Sequence, residues 1–107
     1  MKESAVQKGI MDLLAAERTY ALRINTGAGW ANGKPIQHHS GGAGVADILA
    51  FPRFGDVVHV LWIEVKGPAG KQTLEQRSFQ EHVEELGMNY LLARSSDDVL
   101  EWLREHK

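Results

Sequence analysis

The sequence predicts an α/β fold with the element order αβββαβα, a mixed central sheet carrying helices on both faces. Three observations lead there. An apolar helical stripe opens the chain, two strongly β-forming runs joined by a tight turn fill its middle, and a strand–helix–strand crossover follows them.

Residues 2–17 read as the first helix, because Val6, Ile10, Leu13 and Leu14 recur at helical spacing and make one apolar stripe. Glu3 lies on that stripe one turn earlier. It is either a solvated first-turn carboxylate favoured by the helix dipole or a side chain reaching over the end of the sheet. Residues 20–25 alternate and read as a strand. The stretch 26–44 is rich in glycine and reads as one long loop carrying Trp30, Lys34, Gln37, His38 and His39. Loops of that length are uncommon in small domains unless they are functional or disordered. Both readings stand: a mobile surface loop, or one that brings backbone, cations and an aromatic ring to phosphate and base. No Cys or well-spaced His completes a tetrahedral set with His38 and His39, which leaves them as loop or substrate-contacting residues.

The middle of the chain carries the chemistry. Residues 45–51 and 57–63 are apolar strand signals, separated by turn residues 52–56. A tip at Gly55-Asp56 fixes a register in which Asp47 faces Glu64, with Cβ atoms roughly 5 Å apart. Alternation along the strand puts Glu64 and Lys66 on one side and Val65 on the other. Two carboxylates opposed on an apolar hairpin are destabilising unless a hard cation, which takes carboxylate and carbonyl oxygens, lies between them. The plain alternative for either acid alone is a strand-end carboxylate splayed into water.

After a turn at 67–72, Thr73-Leu74-Glu75-Gln76 opens a second helix with a capping-box pattern. That pattern alone accounts for Gln76. Gln76 also shares a helical face with Phe79, Val83 and Leu86, so its amide has a second possible target in the two carboxylates. Gly87 ends the helix, residues 88–94 read as a buried strand, and Ser95 or Ser96 caps a last helix carrying Val99, Leu100, Trp102 and Leu103. The crossover makes the last strand parallel to its neighbour.

At 107 residues, the expectation is one domain with a single modest core. No apolar run approaches the ~20 residues of a membrane span, and the start of the chain lacks a signal-peptide core. The absence of cysteine removes disulfides and thiolate metal sites and fits an intracellular protein. A net charge of −2 argues against binding nucleic acid through bulk charge, so such binding needs a local basic patch. Arg23, Lys34, Arg53, Lys71 and Arg77 are the candidates for phosphate contact.

Asp47, sixteen intervening residues and then Glu64-Val65-Lys66 resemble the D…ExK signature of the PD-(D/E)XK nuclease superfamily, whose restriction-endonuclease-like core begins with a helix as this chain does. More narrowly, Gly44-Val45-Ala46-Asp47-Ile48, Ile63-Glu64-Val65-Lys66-Gly67-Pro68 and Thr73-Leu74-Glu75-Gln76-Arg77 resemble the VRR-NUC family, over almost the whole chain from Glu3 to Asp98. The chain departs from the family in having Ala46 where proline is usual, at a position that shapes backbone and carries no chemistry.

The resemblance implies metal-dependent hydrolysis of DNA phosphodiesters. Asp47, Glu64 and the Val65 carbonyl would hold Mg²⁺ or Mn²⁺, and Glu3 would contribute through water or a second ion. Lys66 would orient the attacking water, and Gln76 would steady Lys66 or that water. It further implies a homodimer selective for branched DNA such as four-way junctions. The implied setting is the cytoplasm, with a phage or prophage origin allowed. A nucleic-acid-binding module needing a partner chain for chemistry and a sequence-specific restriction-type enzyme are the competing classes.

Overall fold

The computed structural model describes residues 2–24, 28–31, 34–37 and 44–107, the strands within 28–37 through their backbone only. His38, His39 and much of the stretch 26–44 lie outside the described residues.

Helix α1 (Glu3–Ala16) buries Val6, Ile10 and Leu14, the stripe expected from the spacing. Strands β1 (Tyr20–Arg23), β4 (Ile48–Phe51), β7 (Leu61–Val65) and β8 (Asn89–Ala93) form one sheet in the order β1-β4-β7-β8. The first three run antiparallel, and β8 lies parallel to β7. Helix α2 (Leu74–Glu85) makes the crossover, and α3 (Ser96–Glu105) follows β8. These elements reproduce the expected αβββαβα order.

Alternation along β7 divides the sheet's two faces. Leu61, Ile63 and Val65 are buried in one cluster with Ile48, Val6 and Ile10, Val99 and Leu103, the layer beneath α1 and α3. Trp62, on the other face, meets Phe79 of α2 edge-on at 5.0 Å between ring centroids. Helices thus cover both faces. Each fully buried Ile or Leu contributes about 1.5–3 kcal/mol, and this layer supplies most of the apolar burial among the described residues.

The capping signals behave as their residues dictate. The Thr73 side chain accepts from Gln76 N while Gln76 Oε1 accepts from Thr73 N. At the far end of α2, Met88 N donates to Val83 O and Gly87 N to Glu84 O, the paired bonds of a Schellman stop. Ser95, of the two serines considered, caps α3 by accepting from Asp98 N.

Three expectations are corrected. The stretch 26–44 is not one unstructured loop, because β2 (Ala28–Ala31) and β3 (Lys34–Gln37) pair antiparallel within it. The middle hairpin is not continuous. Pro52 on one arm and His59-Val60 on the other break it into β4–β7 and a short outer ribbon, β5 (Arg53–Phe54) with β6 (Val57–Val58), whose valines are exposed. A bond from His59 N to Pro52 O carries the register across the break. Finally, β8 is half-buried, as an edge strand must be when only its faces are covered.

Candidate active site

Ile48↔Ile63, Leu49↔Trp62 and Arg53↔Val58 all obey the register set by the Gly55-Asp56 tip. One step beyond Ile48↔Ile63, that register places Asp47 beside Glu64, on the sheet face covered by α2. There the strands part. The backbone of Asp47 turns towards β1, its carbonyl accepting from Ile24 N at 2.8 Å. Its side chain takes over the ladder instead, Oδ2 accepting from Val65 N at 2.8 Å. A strand residue points its N–H and C=O to the same side, so the Val65 carbonyl also faces the fork between β4 and β7.

Glu64 is 2% exposed. Its Oε2 accepts from Gln76 Nε2 at 3.1 Å and lies 3.8 Å from Lys66 Nζ. Its Oε1 is buried without any hydrogen-bond partner. Burial, with the charge of the adjacent Asp47 carboxylate, pushes the Glu64 carboxyl up to about 8. Lys66 pulls the other way without reversing the shift, and Glu3 adds a smaller upward push. Burying a poorly compensated carboxylate costs several kcal/mol, more than one buried leucine returns. The fold carries this arrangement at the expense of its own stability.

The donor set answers to a hard divalent cation. It offers an orphaned carboxylate oxygen, a second carboxylate beside it, and a peptide carbonyl on the same side of the fork. Glu3 is exposed at the start of α1, near enough for its charge to act on Glu64, and among the described residues no three acidic or histidine side chains gather at one point. Two carboxylates suit Mg²⁺, which keeps several waters and is commonly held by one or two protein carboxylates.

Gln76 resolves the two readings of its motif by satisfying both. Its carbonyl closes the capping box and its NH₂ reaches Glu64, so the partner it steadies is the carboxylate and not Lys66. Beneath α2, Gln72 Nε2 donates to Tyr90 Oη at 3.0 Å and Gln80 Oε1 at 2.9 Å, tying the turn before the helix to β8. Burial pushes the Tyr90 phenol up to about 12, which keeps it neutral.

Two contacts at this end were not read from the sequence. Gly44, at φ 82°, packs on the first turn of α2 so closely that a Cβ would run into the Glu75 carbonyl and Gln76 amide. Arg94 reaches back to the turn after Lys66, Nη1 donating to Gly67 O at 2.7 Å. The first had a signal in the glycine just ahead of Asp47; the second depends on parallel pairing between segments far apart in sequence.

The basic residues separate. Arg23 pairs with Ile48, which puts its exposed side chain on the sheet face opposite Asp47, and Arg77 and Lys71 are exposed beside Gln76 and the preceding turn. Arg53 lies six residues along the hairpin from Asp47, roughly 20 Å away. There it is engaged by its own turn through Gly55 O and Asp56. The Lys34 side chain is outside the described residues.

No family model and no curated protein matches this sequence. A solved VRR_NUC domain does match in structure, with a TM-score of 0.72, over 98% of this chain and 97% of that one. The chain has the VRR_NUC fold. The two sequences are 19% identical, so the likeness is one of fold. It bears out the α/β mixed-sheet fold that the resemblance implied. No helix among the described residues is long and apolar enough to cross a membrane.

Proposed function

We propose that this chain is a Mg²⁺- or Mn²⁺-dependent endonuclease that hydrolyses DNA phosphodiesters. The observation that carries the reading is Glu64, buried beside Asp47 and under Lys66 with one carboxylate oxygen unpartnered. A buried carboxylate oxygen without a donor calls for a partner, and a hard cation held beside a second carboxylate would supply one.

Asp47, Glu64 and the Val65 carbonyl hold the ion. When bound, it supplies Lewis acidity to a phosphate oxygen and makes hydroxide available near neutral pH. The Val65 N–H and the Gln76 amide fix the two carboxylates, one by donating to Asp47 Oδ2 and the other by donating to Glu64 Oε2. Lys66 holds the attacking water and offsets charge that builds on the phosphate. Its ammonium lies 3.8 Å from Glu64 Oε2, beside the carboxylate that would hold the ion. Lys71 and Arg77, exposed on the turn before α2 and in its first turn, meet the flanking backbone phosphates.

The substrate we propose is branched DNA, cut by a homodimer in the host cytoplasm. A four-way junction presents two symmetric cleavage points, which a two-fold dimer matches. Exposed Tyr20 and Leu22 on edge strand β1 leave apolar surface available to a second copy.

The test is cleavage of linear duplex, single-stranded, flap and four-way-junction DNA in Mg²⁺, Mn²⁺ and EDTA, with Glu64→Ala alongside. Paired cuts at the junction, lost in EDTA and in the variant, are expected. Uniform cutting of linear DNA at a short sequence would replace the junction reading with a restriction-type enzyme. Binding without any metal-dependent cutting would leave a binding module that needs a partner chain.

A further inference from the structure

Lys66 is the last residue of β7's pairing with β8, its N–H donating to Ala93 O at 3.0 Å. A lysine stem gives up its rotamer freedom before its ammonium holds one position. Something must confine that stem. The chain that follows does so, folding back in a turn in which Gly70 N donates to Gly67 O at 3.1 Å. A methyl group on Gly70 would stand 3.2 Å from Lys66 Cδ and 3.4 Å from its Cβ, so the Gly70 backbone lies directly against the stem. Gly67-Pro68-Ala69-Gly70 is a short, partly exposed turn with little apolar anchorage of its own.

Its anchor is Arg94. Nη1 donates to Gly67 O at 2.7 Å and lies 3.4 Å from Pro68 O, a charge-assisted grip on the two carbonyls that begin the turn. Arg94 is itself fixed by α3, since its backbone N–H donates to Asp98 Oδ2 at 2.8 Å and Ser95 caps the helix one residue on. We infer that Arg94 is a positioning residue for Lys66: it clamps the Gly67–Gly70 turn against the lysine stem and so aims the ammonium at Glu64 and the reacting phosphate. The assignment rests on the nuclease reading for its catalytic consequence and on the turn geometry alone for its structural one.

The two are tested separately. In single-turnover cleavage, Arg94→Met, which keeps the stem and removes the donors, is expected to lower the maximal rate about tenfold with KM held. Arg94→Lys, which restores one donor, recovers part of the loss. Made on a Lys66→Ala background, Arg94→Met should cost nothing further, because its route of action is already gone. A raised KM, or a loss that adds in full to that of Lys66→Ala, would overturn the assignment by making Arg94 a DNA contact. An unchanged rate would overturn it as well.

Amide exchange and side-chain NMR of the DNA-free protein stand whether or not it cuts. Arg94→Met should speed exchange of the Gly70 amide about tenfold and move the Lys66 Cε resonance towards its free-lysine position. If both stay as in the wild type, the clamp does not exist. If both move and wild-type protein cuts nothing, the clamp stands and the nuclease reading falls.

Discussion

Gln76 donates its side-chain N–H to Glu64 Oε2 at 3.1 Å, and Thr73 N fixes which way the amide points by donating to the opposite end. One residue thus starts a helix and steadies a buried carboxylate. Gln76→Glu separates the two roles. It keeps an oxygen for Thr73 N but sets a third carboxylate against Glu64. We expect the metal-free protein to melt earlier than wild type at pH 8, where the added charge faces Glu64, with cleavage down on the order of 100-fold. Gln76→Ala keeps the Thr73 cap on its backbone N–H but loses the reciprocal bond from Thr73 N, at a cost of about 1 kcal/mol. Melting curves beside single-turnover rates check both.

The raised Glu64 carboxyl makes the metal-free protein sensitive to pH in a defined direction. In the unfolded chain it ionises near its ordinary value of 4.5, in the folded one at about 8. Below 4.5 both states hold the proton and stability is full. As pH rises towards 8 only the unfolded state gives the proton up, so stability falls, and above 8 the loss levels off. The loss is on the order of a few kcal/mol. Urea melts in EDTA from pH 4.5 to 9 should show this decline in wild type. Glu64→Gln should lack most of it and be the more stable protein at pH 8, though inactive. Parallel curves for the two would mean that the carboxyl titrates normally.

Asp47 is tested by a pair of variants. Asp47→Asn keeps an acceptor for Val65 N and removes the charge beside Glu64, so the metal-free fold at pH 8 should gain stability while cleavage is lost. Asp47→Ala also orphans the Val65 N–H, a part-buried donor whose loss of partner costs about 1–3 kcal/mol. The asparagine variant should therefore melt above the alanine variant.

Gly44 and Gly55 both have positive φ, but only Gly44 has backbone of α2 where a side chain would go. Gly55→Ala is expected to cost about 1 kcal/mol and leave cleavage unchanged. Gly44→Ala must push the first turn of α2 and Gln76 with it. It should cost on the order of 1–3 kcal/mol and lower cleavage too. Equal effects of the two substitutions on cleavage would show that Gly44 does not set the place of Gln76.

The hairpin register was legible because the tip residues Gly55-Asp56 fix every later pair, out to Ile48↔Ile63 and the acids beyond. The capping box and the buried stripe of α1 were legible for the same reason, since local spacing decides them. The split of the hairpin was not. Val57 and Val58 look like core strand residues, and only tertiary packing reveals that the sheet ends before them. The β2–β3 pair was missed although Asn32-Gly33, between its strands, is a strong two-residue hairpin signal, because the glycine content of 26–44 suggested a loop. The Asp47–Val65 bond had no sequence signal, since it exists only where β4 peels away towards β1.

The central claim is that the Asp47–Glu64 pair is built for a divalent cation, and a calorimetric titration of Mn²⁺ into the DNA-free protein tests it most directly. At pH 7 Glu64 is mostly protonated in the metal-free fold, so binding must expel its proton. Wild-type protein should bind with a heat that varies between buffers of different ionisation enthalpy, corresponding to release of about one proton. Glu64→Gln should abolish that binding. Binding that survives in Glu64→Gln, or that releases no proton from wild type, would contradict the account and place the cation elsewhere.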